Sequence, residues 1–168
     1  RGIPCEILST EELGLPPAVE ELCELEQGLV LVTGATGSGK STTLASMIDF
    51  INRTRPVHII TIEDPVEFVH IPQKSLLNQR ELHVDTRSFA NGLRAALRED
   101  PDVVLLGELR DRETIETALE VADTGHLVFG TLHTRSAVNT VARIIEQFEG
   151  SRQSQVRGSL AESLRGVI

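Results

Sequence analysis

An α/β fold built on one doubly wound parallel sheet is predicted by three observations. The octapeptide Gly34-Ala35-Thr36-Gly37-Ser38-Gly39-Lys40-Ser41 matches G-x-x-x-x-G-K-[ST] and lies between a short apolar run, 29–33, and a helical stretch, 41–52. Further β-branched and apolar runs then alternate with amphipathic stretches along the rest of the chain, the pattern of strands paired in parallel through helical crossovers. The 168 residues, 40% of them apolar, are enough for one domain with a proper core.

Taken in order, residues 8–26 carry Leu13-Gly14-Leu15-Pro16-Pro17 and then an acidic helical stretch ending at Gln27. Residues 1–27 read as a lead-in from a preceding domain, and residues 28–168 as the core. Val57-His58-Ile59-Ile60-Thr61-Ile62 suits a central strand, whereas residues 63–84, with Pro65, Pro72 and many polar groups, read as loop. Residues 86–98 are helical, with Phe89, Leu93, Ala96 and Leu97 on one face. Asp100-Pro101-Asp102 breaks that helix before the strand Val103-Val104-Leu105-Leu106. Ile115, Ala118, Leu119 and Ala122 mark another amphipathic helix, residues 126–131 another strand, and Val138, Val141, Ile144 and Ile145 stripe the helix after it. Met47 is the only methionine, and residues 160–168 end in an apolar-periodic segment without a helix stop, so both ends read as cut.

The formal net charge of −9 and the absence of Trp and Tyr argue against a protein that grips nucleic acid, which needs basic surface and stacking rings. No run reaches transmembrane length. Cys5 and Cys23 lack metal-type spacing and suit a reducing cytosol, and the five histidines form no paired ligand pattern, so no zinc is expected.

The glycine-rich loop predicts nucleotide binding. Backbone N–H groups of a strand–loop–helix turn form a nest for phosphates, and the helix N-terminus adds its positive dipole end. Lys40 would reach the β- and γ-phosphates, Ser41 would ligate Mg²⁺, and Gly37 and Gly39 would let the backbone turn sharply against the ligand. In such sheets ligands lie at the carboxyl ends of the strands. Strand 103–106 delivers Gly107-Glu108, a Walker B arrangement in which the carboxylate holds Mg²⁺ largely through water. Asp102, at the other end of that strand, reads as a capping or solvated residue. Strand 57–62 ends in Glu63-Asp64-Pro65-Val66-Glu67, three carboxylates within five residues, where a base that orients the attacking water is the chemical need. Thr131 and His133 follow the strand 126–131 and are placed to sense the γ-phosphate; His126, at its start, reads as structural. Neither D-x-x-G nor N-K-x-D occurs, which disfavours a GTPase, and no arginine-rich lid suggests a small-molecule kinase.

Together these segments carry a resemblance. Residues Gly34–Ser41, Thr61-Ile62-Glu63-Asp64-Pro65-Val66-Glu67, Leu106-Gly107-Glu108-Leu109-Arg110-Asp111 and 124–134 resemble, in order, the Walker A, Asp, Walker B and His boxes of the secretion-type traffic ATPases. Asn78-Gln79-Arg80-Glu81, residues 95–101 and Phe129 are similar to the pilus-retraction branch of that family. Two departures, Ala35 and Glu149-Gly150 at positions that usually hold proline, touch no assigned residue.

The resemblance implies a RecA-like P-loop NTPase fold and ATP with Mg²⁺ as cofactors. It implies nucleotide contacts from Gly34, Ala35, Thr36, Gly37, Ser38, Gly39, Lys40, Ser41 and Thr42, and metal contacts from Ser41 and Glu108. It makes Glu67 the base, and His126 and His133 the His-box pair, while Glu63, pinned at the strand terminus, reads as a group that either supports the base or faces Mg²⁺. It further implies a homohexamer completed by arginines of another domain, an inner-membrane pilus platform protein as partner, and a cytoplasmic location peripheral to that membrane. Pilus extension, secretion or DNA uptake on the same fold, a nucleotide-binding scaffold without turnover, and a nucleic-acid translocase are the alternative readings.

Overall fold

The computed structural model describes residues 6–168. Cys5 lies outside them. Six strands form one sheet, β1 (Gly28–Thr33), β2 (His58–Glu63), β3 (Leu76–Glu81), β4 (Val103–Leu106), β5 (Leu127–Leu132) and β6 (Leu164–Val167), in the order β3-β2-β4-β5-β1-β6. Every pairing is parallel. Such a sheet needs both faces covered, which explains why its central strands read as continuous apolar runs.

Strand alternation assigns the two cores. Leu29, Leu31, Val104 and Leu106 face one layer, made by α3 (Phe89–Leu97), α4 (Arg112–Asp123), α5 (Ala137–Glu146) and α6 (Gly150–Ser163). Val30, Val32, Val103 and Leu105 face the other, made by α1 (Pro17–Cys23) and α2 (Lys40–Thr54). Fully buried Phe129 and Met47 fill that second layer, each worth roughly 1.5–3 kcal/mol of burial. Residues 17–23 of the predicted lead-in therefore join this core, packing against α2 with Val19 and Cys23 buried. Burial pushes the Cys23 thiol up to about 12, with Glu20 adding to it, so this cysteine is inert.

The helix starts follow capping chemistry. Ser88, Asp111 and Ser136 each accept the N–H three residues on, opening α3, α4 and α5. By contrast α2 begins at Gly39 with a left-handed backbone and no side-chain cap.

Two segments differ from expectation. Residues 63–84 are not all loop: Leu76–Glu81 pair with β2 as an edge strand, with Leu76 and Asn78 exposed and Gln79, Arg80 and Glu81 half-buried. Residues 160–168 are not one periodic element, because α6 ends at Ser163 and the chain turns into β6 alongside β1. Among the described residues, no helix is long and apolar enough to cross a membrane.

Candidate active site

Four strands that are neighbours in the sheet, β2, β4, β5 and β1, deliver the four boxes. Because all run parallel, the residues after each strand meet along one edge of the sheet. There they line a cleft of about 580 Å³, with Thr36, Gly37, Gly39, Lys40, Ser41 and Thr42 on one wall. Glu63, Asp64, Glu67, Glu108, Arg110, Thr131 and His133 line the rest.

The phosphate-loop wall is built by the backbone. Gly37 and Gly39 hold φ of 80° and 102°, which a side chain rarely tolerates. A Cβ at either would meet no protein atom within 4 Å, so conformation rather than crowding by the protein requires glycine there. The N–H groups of Lys40, Ser41 and Thr42 open α2 with no intrahelical acceptor, and among the described residues no side chain caps them. Lys40 Nζ donates to Gly34 O at 2.7 Å and Ala35 O at 2.9 Å, folding its stem back over the loop. Ser38 N–H donates to Ala35 O at 3.1 Å and tightens the turn.

Glu108 is placed by zipping the end of β4 to its neighbours. Gly107 N–H donates to Ile62 O at 2.8 Å and Leu109 N–H to Thr131 O at 3.0 Å. A Cβ on Gly107 would lie 3.3 Å from Glu63 Cα and from Ile62 O, so glycine lets the Walker B turn abut the end of β2. The Thr131 hydroxyl donates to Gly107 O. Thr131, which lines the cleft, gives its proton to this turn. Glu108 then meets His133 Nε2 through Oε1 at 2.9 Å and Arg110 Nε through Oε2 at 2.5 Å. Lys40 Nζ approaches the other His133 nitrogen, Nδ1, at 3.3 Å. An ammonium has only protons to offer, so Nδ1 is the acceptor and Nε2 carries the proton toward Glu108.

Glu63 and Glu67 flank a short turn. Thr61 Oγ1 donates to Glu63 Oε2 at 2.7 Å and Gln79 Nε2 donates to the same oxygen at 3.1 Å. Burial still pushes the Glu63 carboxyl above its ordinary range; these two hydrogen bonds work against it, and Glu67 and Glu81 add to the rise. Glu67 is exposed on the cleft rim.

His126 does not join His133. Its Nδ1 lies 2.8 Å from Pro101 O, at the amino end of β5, whereas His133 follows the carboxyl end. A strand of that length separates them by about 20 Å at the usual rise, so within one chain they cannot share a site. Asp102 is likewise at the amino ends, where its Oδ2 accepts the His58 N–H at 2.8 Å. Arg94 is engaged by Glu113 on the outer surface at 2.6 Å. Gln79, whose amide reaches Glu63, was absent from the residues singled out as chemical; it stands on the same face of β3 as buried Leu77.

The uncapped helix start and its cationic lysine form an anion cradle. Ser41 and Glu108 put a hydroxyl and a carboxylate on the same cleft. Two hard oxygens fit Mg²⁺, which takes few protein ligands and keeps its waters.

The type II/IV secretion system protein family model matches residues 7–168. A twitching motility protein of Neisseria gonorrhoeae is 61% identical over all of this chain, which covers 45% of that protein. The type IV pilus retractation ATPase PilT of Pseudomonas aeruginosa is 56% identical over all of this chain, covering 49% of that protein. A crystal structure of the pilus retraction motor PilT with bound ADP superposes with a TM-score of 0.97 at 60% identity, covering 99% of this chain and 49% of the other. The chain thus spans about half the length of these relatives.

Proposed function

We propose that this chain, which belongs to the type II/IV secretion system protein family, is the catalytic core of a Mg-ATP-hydrolysing motor that retracts type IV pili. One observation carries the reading of the chemistry. The phosphate loop, the Glu63–Glu67 turn, Glu108 and His133 converge on a single cleft, and Lys40 and Glu108 are joined there through one imidazole. The retraction role is supported by the names of the similar proteins, a twitching motility protein and a pilus retraction ATPase.

In this reading the N–H groups at the start of α2 and Lys40 hold the β- and γ-phosphates of ATP. Ser41 and Glu108 would hold Mg²⁺, which would supply positive charge against the triphosphate. Glu67 accepts the proton of the attacking water, and Glu63, fixed by Thr61 and Gln79, supports the turn that carries it. His133 orients Glu108 and reports on what Lys40 contacts. Lys40 and Arg110 are the lysine and arginine of the cleft wall, and Arg110 is already tied to Glu108. Arginines from outside this chain therefore complete the charge around the transferring phosphate, in a homohexamer whose sites lie between subunits. That assembly works in the cytoplasm against an inner-membrane platform protein.

Phosphate release by the full-length protein, with and without Mg²⁺, tests the chemistry. Restoration of twitching in a retraction-deficient strain by wild type, and its loss in Glu108→Gln, tests the role. A protein that binds ATP but never releases phosphate would instead be an assembly scaffold.

A further inference from the structure

The Gln79 carboxamide is used at three points of one turn. Its Nε2 donates to Glu63 Oε2 at 3.1 Å and to Phe68 O at 2.8 Å, and its Oε1 accepts the His70 N–H at 2.9 Å. A primary amide has two N–H donors and one carbonyl acceptor, so every hydrogen-bonding group is committed. The parallel register sets Gln79 beside Thr61, and the Thr61 hydroxyl donates to the same Glu63 oxygen. The two Nε2 contacts land at Glu63 and Phe68, on either side of Asp64-Pro65-Val66-Glu67. The turn bearing Glu67 is thus closed at both ends by a single side chain on a neighbouring strand.

The next segment is held by a different amide. Asn52, buried at the end of α2, donates to Ile71 O at 2.8 Å and accepts the Gln73 N–H at 2.9 Å. Asn52 shares no partner with Gln79, so the two pins are separable.

We propose that Gln79 is a positioning residue: it fixes the orientation of the Glu63 carboxylate and the reach of Glu67 into the cleft, without touching nucleotide itself. The proposal rests on the reading of Glu67 as base. A hydrophobic side chain at position 79 would leave Phe68 O and the His70 N–H without their partner and free the turn to move. A glutamate would keep an acceptor for His70 but set a second carboxylate beside Glu63 and lose both donors.

The test uses Gln79→Leu and Gln79→Glu in the full-length protein, beside Glu67→Gln and the double variant Gln79→Leu/Glu67→Gln. A displaced catalytic group costs rate rather than binding, so kcat should fall about 10–100-fold while the affinity for a non-hydrolysable ATP analogue stays within about twofold. The double variant should be no slower than Glu67→Gln alone, because Gln79 acts through that turn. Hydrogen exchange should quicken at residues 64–70 and remain unchanged at residues 34–42. Unchanged kcat, multiplying losses in the double variant, or unaltered exchange at 64–70 would each overturn the proposal. Wild-type protein without ATP turnover would sink the functional reading instead, and the exchange experiment would still decide whether Gln79 holds the turn.

Discussion

His133 is hydrogen-bonded to Glu108, Nε2 to Oε1 at 2.9 Å, while its other nitrogen faces Lys40 Nζ at 3.3 Å. A neutral imidazole with its proton on Nε2 satisfies both neighbours at once. The lysine of the phosphate loop and the acid of the β4 turn are thereby connected across the cleft by a group that donates to one and accepts from the other. His133→Ala removes that link but leaves both end groups. Nucleotide affinity should change little, and turnover should fall roughly 10–100-fold because Glu108 loses one of its two orienting partners. Full turnover in His133→Ala would show that Arg110 alone orients the carboxylate.

Lys40→Ala should weaken nucleotide binding. The lost charge-assisted contact is worth roughly 1.5–3 kcal/mol, or about 10–150-fold in Kd. The same change removes the two bonds to Gly34 O and Ala35 O, so the loop itself also loosens. Titration of a fluorescent ATP analogue into this chain is sufficient to measure it, and undiminished affinity would remove the phosphate-loop assignment.

Glu108→Gln should keep ATP binding and lose most hydrolysis. The amide retains the shape but not the charge that Mg²⁺ and its waters require, and it offers protons toward Arg110, which has only donors. Binding and phosphate release are both measured in the full-length protein. Wild-type turnover would move the metal role elsewhere on the cleft.

How far all this was legible depended on which chemistry left a fixed spacing. The phosphate loop, the carboxylate after Val103–Leu106 and the alternation of strands and helices could each be read, because a phosphate nest and a two-faced sheet admit few sequences. The edge strand Leu76–Glu81 was hidden by Asn78, Gln79, Arg80 and Glu81, polar residues that an edge position tolerates and a central strand would not. The last strand was hidden because Leu164 and Val167 continue the spacing of α6, and short apolar runs do not distinguish helix from strand. The two histidines, paired only by the resemblance, already stand at opposite ends of one strand in the sequence reading, and a six-residue strand does lie between them. Nothing local to Gln79 announces its three partners, which come together only through the parallel pairing of β2 and β3.

Glu63 and Glu67 can be told apart by activity. Glu67 is exposed on the rim, on a turn held at both ends, whereas two donors already occupy one Glu63 oxygen. Glu67→Gln should abolish most turnover and Glu63→Gln should reduce it less. The reverse ranking would assign the base to Glu63, whose raised proton affinity would then be its tuning.

The last prediction concerns acid. His70 is buried against the Asp-box turn, and burial pushes its pKa below the ordinary 6.5, with Asp49 pulling weakly the other way. The folded chain therefore keeps the imidazole neutral at a pH where the unfolded chain has already taken up a proton. Between 6.5 and the lowered folded value the unfolded state binds more protons, so stability rises with pH across that window and is lost as pH falls through it. His70→Phe keeps a ring of similar size and removes the titration. Urea midpoints of this chain at pH 8 should differ between wild type and His70→Phe only by packing, and at pH 5 wild type should have lost additional stability that the variant keeps. Because the His70 N–H is one of the three contacts of Gln79, the same acid loss should appear at pH 5 as faster hydrogen exchange at residues 64–70 in wild type than in His70→Phe. Parallel pH profiles for the two proteins would mean that some other group carries the acid sensitivity, and the buried imidazole would be no more than packing.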